Sequence, residues 1–212
     1  MEFKEMKIKE FIEDLSGDKS SPGGGSAAAL VSALAASLNS MVYSFTVDKK
    51  SFEILSDEVK AEMKVMKEKT REFTQKSLNF MEKDRTDFMG LMDCFKLPNG
   101  TEEEKLHRRA MIKENTVKAM STPLALAKEA LTFYDNISFA VEHGNKNLTS
   151  DGIVASILLN AAIESAVINV LINYKSLKKY EEFNHIQAEC NSILETSLTR
   201  KNQICQGFYS QI

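Results

Sequence analysis

Ser51-Phe52-Glu53-Ile54-Leu55-Ser56-Asp57-Glu58-Val59 opens a stretch, residues 51–95, whose stripe decides the fold. Phe52, Leu55, Val59, Met63, Met66, Thr70, Phe73, Ser77 and Phe80 recur every three or four positions. That period is the signature of a helix with one buried side. The same spacing runs through most of the chain, almost no stretch alternates with period two, and prolines occur only at 22, 98 and 123. The fold class predicted is all-α, a bundle of long antiparallel helices, about six to seven in number.

A chain of 212 residues can bury a substantial core and is most simply one domain. A formal net charge of −3 gives no basic face for nucleic acid. The N-terminus, Met1-Glu2-Phe3-Lys4-Glu5, lacks the apolar segment of a signal peptide. The apolar run over 153–172 is interrupted by Asn160, Glu164 and Asn169, which predicts a buried helix rather than a membrane span. Cys94, Cys190 and Cys205 follow no metal or redox spacing, and neither do His107, His143 and His185; His107 and His185 are expected at the surface and no metal is expected. A reducing compartment, the cytoplasm, is the expected setting.

Local signals place the remaining elements. Residues 4–15 form a short amphipathic helix, and an alanine- and serine-rich helix follows the loop at 16–24 and reaches about 47. Leu97-Pro98-Asn99-Gly100 is a turn that ends the long 51–95 segment, itself one helix or two joined by a kink. Thr101 and Glu104 make a capping box for the next helix. Pro123 suits the first turn of a further helix to about 141. A loop over 144–150 precedes the apolar helix, and an amphipathic helix from about 180 completes the chain.

Extending the stripe beyond Phe80 gives Asp84, Phe88, Leu91 and Phe95. Asp84 therefore falls on the buried side, whereas Asp87, about 100° further round, is expected in solvent. A carboxylate taken from water must be paired, hydrogen-bonded or protonated. Either it meets an arginine or lysine of a facing helix, or burial lifts its pKa into the range of a general acid or base.

The apolar helix carries two polar rows, Ser165/Asn169/Asn173 and Ser156/Asn160/Glu164, on roughly opposite faces. Buried amides need partners, which can be other helices or a bound polar heterocycle. Ala29, Ala33, Ala36 and Ser40 give the second helix a face of small residues that admits close approach. In the loop His143-Gly144-Asn145-Lys146-Asn147-Leu148-Thr149-Ser150-Asp151-Gly152, Ser150 suits an N-cap and Asp151 complements the helix dipole.

Three of the nine glycines stand together in Ser21-Pro22-Gly23-Gly24-Gly25-Ser26. The block is either a turn into a helix or a concave set of N–H groups for an anion. Residues 23–28 match G-x-G-x-x-A, but no strand precedes them, and no lysine stands in the P-loop position. Both nucleotide motifs fail.

Four ordered blocks resemble the C-terminal domain family of the formiminotransferase-cyclodeaminases. They are Pro22-Gly23-Gly24-Gly25-Ser26-Ala27-Ala28-Ala29; Glu82-Lys83-Asp84 through Phe88 with Phe95-Lys96-Leu97-Pro98 and Glu102-Glu103-Glu104-Lys105; Thr122-Pro123-Leu124; and Gly144-Asn145-Lys146-Asn147 with Ser150-Asp151 and Asn169-Val170-Leu171-Ile172-Asn173. Lys146 stands where the family has proline, Tyr174 where leucine is usual, and Asp48 where glycine is expected. The resemblance implies a stand-alone folate one-carbon enzyme, either a formiminotetrahydrofolate cyclodeaminase or a methenyltetrahydrofolate cyclohydrolase, with a non-catalytic folate-binding dimer as the competing class. It implies a tetrahydrofolate derivative as partner, a homodimer, and no cofactor beyond the folate. Asp84 is the expected proton-transfer group. Gly23, Gly24, Gly25, Ser26, Asn145, Asn147, Ser150, Asp151, Asn169 and Asn173 are the expected folate contacts.

Overall fold

The three-to-four-residue period becomes seven α-helices among the described residues, 2–209 of the computed structural model: α1 (Ile8–Ser16), α2 (Gly24–Ser44), α3 (Lys50–Glu53), α4 (Asp57–Cys94), α5 (Glu102–His143), α6 (Thr149–Leu177) and α7 (Ile186–Tyr209). Short 3₁₀ turns at Phe3–Glu5, Lys146–Leu148 and Glu181–Phe183 punctuate them. The 51–95 segment breaks where Ser56 caps α4, its side chain accepting from the Val59 N–H. Thr101 and Glu104 form the predicted capping box of α5.

Four helices make the bundle. Ser26, at the start of α2, meets Asp84 near the end of α4, while Asn39 further along α2 shares a network with Thr70, earlier in α4. The two helices are therefore antiparallel. The same contacts run α5 against α4, through Thr122–Asp87 and Asn136–Thr70, and Asn173–Ala119 sets α6 against α5. The small-residue side of α2 is buried, with Ala29 and Ala36 fully enclosed, and α2 packs on both α4 and α6. Helix α7 closes α5 and α6 from outside, where Tyr134, Ser197 and Asn160 join in a chain of hydrogen bonds. The polar row at Asn160 and Glu164 is thus bonded within and between helices, Asn160 also donating to Glu164 at 2.7 Å. Helix α2 and the stretch Lys146–Leu177 are long and apolar enough to cross a membrane, and about half of each, 56%, is buried inside the bundle.

Several local expectations are corrected. Pro123 does not begin a helix; α5 runs through it without a break. Ser150 is not an N-cap, because the 3₁₀ turn at Lys146–Leu148 leads straight into α6, leaving Leu148 as the cap residue and Ser150 inside the first turn. Asp87 is not solvated: its side chain is 10% exposed, accepts from Thr122 Oγ1 at 2.5 Å and pairs with Lys83 at 3.0 Å. Phe95 lies just past the end of α4 and is about half exposed.

Candidate active site

The start of α2, the last third of α4, the middle of α5 and the end of α6 converge on a cleft of about 170 Å³. Its lining includes Gly23, Gly24, Gly25, Asp84, Asn169 and Asn173, all singled out in the sequence. Ser26 lies directly behind, fully buried, and donates its hydroxyl to Asp84 Oδ2 at 2.9 Å. Residues from four separate stretches thus meet because the antiparallel bundle brings the start of α2, the later turns of α4 and α6 and the middle of α5 to the same place.

Asp84 is held by the N-terminus of α2. Burial pushes its carboxyl above the ordinary range, while the hydroxyl and backbone N–H of Ser26 pull it down and the charge of Asp87 raises it again. Burial is the largest of these, so the net shift is upward. None of the ion pairs among the described residues includes Asp84. Its partners are the hydroxyl and backbone of a helix start, which stabilise a carboxylate without locking it into a salt bridge. A group so placed can hold a proton and release it to a bound molecule.

Gly25 is explained by the same contact. A Cβ at residue 25 would lie 2.5 Å from Asp84 Cγ and closer still to Oδ1, so only glycine lets the carboxylate reach the helix start. At Gly24 a Cβ would stand 3.2 Å from Asn169 Nδ2, a tight approach.

The two asparagines are oriented by backbone carbonyls. Asn169 Nδ2 donates to Ser165 O at 2.8 Å; Asn173 Nδ2 donates to Asn169 O at 3.0 Å and to Ala119 O at 3.1 Å. These acceptors demand the amide nitrogen, which leaves the oxygen of each side chain as the group to meet a ligand.

Asn145, Asn147, Ser150 and Asp151 are not brought to this cleft. They sit at the other end of α2, where Asn145 donates its backbone N–H to Thr46 Oγ1 and its side-chain amide to Phe45 O, and accepts from Asn147 N. Asp151 lies in the first turn of α6. Along α6 the distance from Asp151 to Asn169 is about 27 Å at 1.5 Å per residue.

Sequence reasoning missed Ser20, Ser21, Phe88 and Ala119 as cleft residues. Phe88 carried a signal, since it follows Asp84 by one helical turn on the same side, and Ser21 opens the glycine block itself; Ser20 and Ala119 carried none. A larger groove of about 350 Å³ between α4 and α5 is lined by Lys69, Lys76, Glu129 and Asp135 and holds no buried carboxylate.

Helical bundle and cleft together define a class: an all-α protein with a half-buried acid set against a glycine-built helix start. The formiminotransferase-cyclodeaminase family model matches residues 7–192. Methenyltetrahydrofolate cyclohydrolase of Methylorubrum extorquens is 32% identical over 195 residues, spanning 89% of this chain and 92% of that protein. Formimidoyltransferase-cyclodeaminase of Rattus norvegicus is 29% identical over 170 residues, 80% of this chain but 31% of that protein, so the chain spans about a third of it. The crystal structure of formiminotetrahydrofolate cyclodeaminase from Thermotoga maritima superposes with a TM-score of 0.79 at 26% identity, covering 97% of this chain and 98% of that one. The chain belongs to the formiminotransferase-cyclodeaminase family.

Proposed function

We propose that this protein is a folate one-carbon enzyme, a formiminotetrahydrofolate cyclodeaminase in which Asp84 carries the proton. The observation that carries the reading is the Asp84 carboxyl, raised by burial, lining the cleft and held from behind by Ser26. In the protonated formimino substrate, N10 attacks the formimino carbon and forms a tetrahedral centre. The proton on N10 must then move to the departing amine. Ammonia leaves, the N10–carbon bond stays, and the product is the 5,10-methenyl cation. One carboxylate that accepts the first proton and returns it to the amine suffices. A single acid/base group contributes about 10²–10⁴-fold.

A second reading is favoured by the length match to the cyclohydrolase relative. There the ionised carboxylate would take a proton from water as it adds to the methenyl carbon, and N5 would leave protonated. The two readings separate spectroscopically. Methenyltetrahydrofolate should accumulate from formiminotetrahydrofolate in the first case and only be consumed in the second. No change with either substrate, with binding retained, would leave a folate-binding protein.

The proposal includes a homodimer. Val154, Ile157, Ala161, Ile168 and Ile172 form, with Glu164 among them, one exposed stripe along α6, and Leu34 of α2 is exposed as well. Ile168 and Ile172 are 62% and 67% exposed. A second copy, docked antiparallel across a two-fold axis on this stripe, would bring its Asn145–Asp151 loop to the first copy's cleft. That arrangement gives the loop the folate-contacting role which its distance from Asp84 denies it within one chain. Three buried free cysteines suit the cytoplasmic setting proposed with it.

A further inference from the structure

A proline inside a helix removes one hydrogen bond and crowds the carbonyl four residues back, at a cost of about 3 kcal/mol. Pro123 sits buried in the interior of α5, with Glu102–His143 helical on both sides. The carbonyl it leaves without an intrahelical N–H is that of Ala119. This carbonyl accepts from Asn173 Nδ2 of α6 at 3.1 Å, and Ala119 and Asn173 both line the Asp84 cleft. The second hydrogen of the same amide goes to Asn169 O. Both hydrogens are thereby committed, and the orientation of the Asn173 amide is fixed.

We propose that Pro123 is a positioning residue of the cleft. By freeing the Ala119 carbonyl it anchors the Asn173 amide, so that Asn173 Oδ1 is presented to the ligand as an acceptor. The cleft then selects a ligand edge that carries N–H donors. This rests on the folate reading for the ligand's identity, because the N3–H and 2-amino groups of a pterin form such an edge. The competing account makes Asn173 a patch for the proline's orphaned carbonyl, with no bearing on the ligand.

Pro123→Ala separates them. The new N–H at 123 competes for Ala119 O, which weakens the anchor while improving the helix. The melting temperature should hold or rise. KM for the folate substrate should increase about 2–10-fold, the loss of one ordinary hydrogen bond, with the change carried by KM rather than kcat. In ¹⁵N-asparagine spectra the Asn173 side-chain amide should lose its protection from exchange. Asn173→Ala should raise KM in the wild-type background and raise it less in the Pro123→Ala background. An unchanged KM in either single variant, or costs that simply add, overturns the proposal. If the wild type neither turns over nor binds folate, loss of Asn173 amide protection in Pro123→Ala supports the anchoring and overturns the folate reading alone.

Discussion

The Asp84 carboxylate fills the space that a side chain on Gly25 would need, its Oδ2 lying 2.8 Å from where that Cβ would stand. The acid and the helix start are thus fitted to each other, and the glycine serves the protein's own carboxylate before it serves any ligand. Gly25→Ala tests the fit. Alanine is the better helix former by about 1 kcal/mol, which offsets part of the crowding, so the variant should fold. Asp84 must swing away from Ser26, and turnover should fall about 10²-fold or more, the low end of losing a positioned acid/base group. Near-normal kcat in a folded Gly25→Ala variant would remove Asp84 from the mechanism or show that it acts from another rotamer.

Asp84→Asn should trade activity for stability. In the unfolded chain the carboxyl ionises near the ordinary 3.8, whereas burial raises it in the fold. Between those two values the folded state binds more protons, so wild-type stability falls as pH rises through that window. Asparagine keeps an oxygen acceptor for Ser26 and carries no charge to bury. The variant's melting temperature relative to wild type should climb as pH rises from about 3.8 through the raised value and then level off. Turnover should drop by about 10²–10⁴-fold. A stability difference that does not change with pH would mean that the buried carboxyl is not shifted.

How far the sequence could be read follows from which forces are local. The stripe over 51–95 placed Asp84 correctly because helical period alone decides which side a residue faces. It misjudged Asp87, because the opposing contact comes from Thr122 on another helix. Pro123 passed for a helix start because the residue that accommodates it, Asn173, lies fifty positions away. No pattern announced the buried network in which Asn39 Nδ2 and Thr70 Oγ1 both donate to Asn136 Oδ1 while Asn136 Nδ2 donates to Met66 O. Each of those asparagines is ordinary in its own helix. The Asn145–Asp151 loop was legible as a block of residues, but its distance from the cleft depends on helix lengths and packing.

Asp48 is the non-glycine residue with a left-handed backbone among the described residues, φ 61°, in the exposed turn after α2. This is the position at which the family resemblance leads one to expect glycine. Aspartate tolerates that region better than most residues but still pays a steric penalty, while glycine carries extra freedom in the unfolded chain. The balance favours Asp48→Gly by about 0.5–1 kcal/mol, or about 1–4 °C in melting temperature for a chain of this size. A lower melting temperature would mean that the aspartate side chain supplies compensating stabilisation in that turn.

If the Asn145–Asp151 loop works on a second copy's cleft, two differently damaged chains should repair each other. Asp84→Asn removes the acid but leaves the loop intact. Asn147→Ala alters an exposed loop side chain but leaves the cleft intact. In a two-fold dimer each mixed pair holds one site built from both undamaged parts and one built from both damaged parts. Random mixing makes about half the dimers mixed, so activity should recover to about a quarter of wild type, well above either variant alone. Ile172→Glu, which puts a charge on the exposed stripe of α6, should yield monomers by sedimentation equilibrium and abolish the recovery. If the mixture is no more active than the average of its components, the loop does not act across the interface, and its residues are structural at the far end of the bundle.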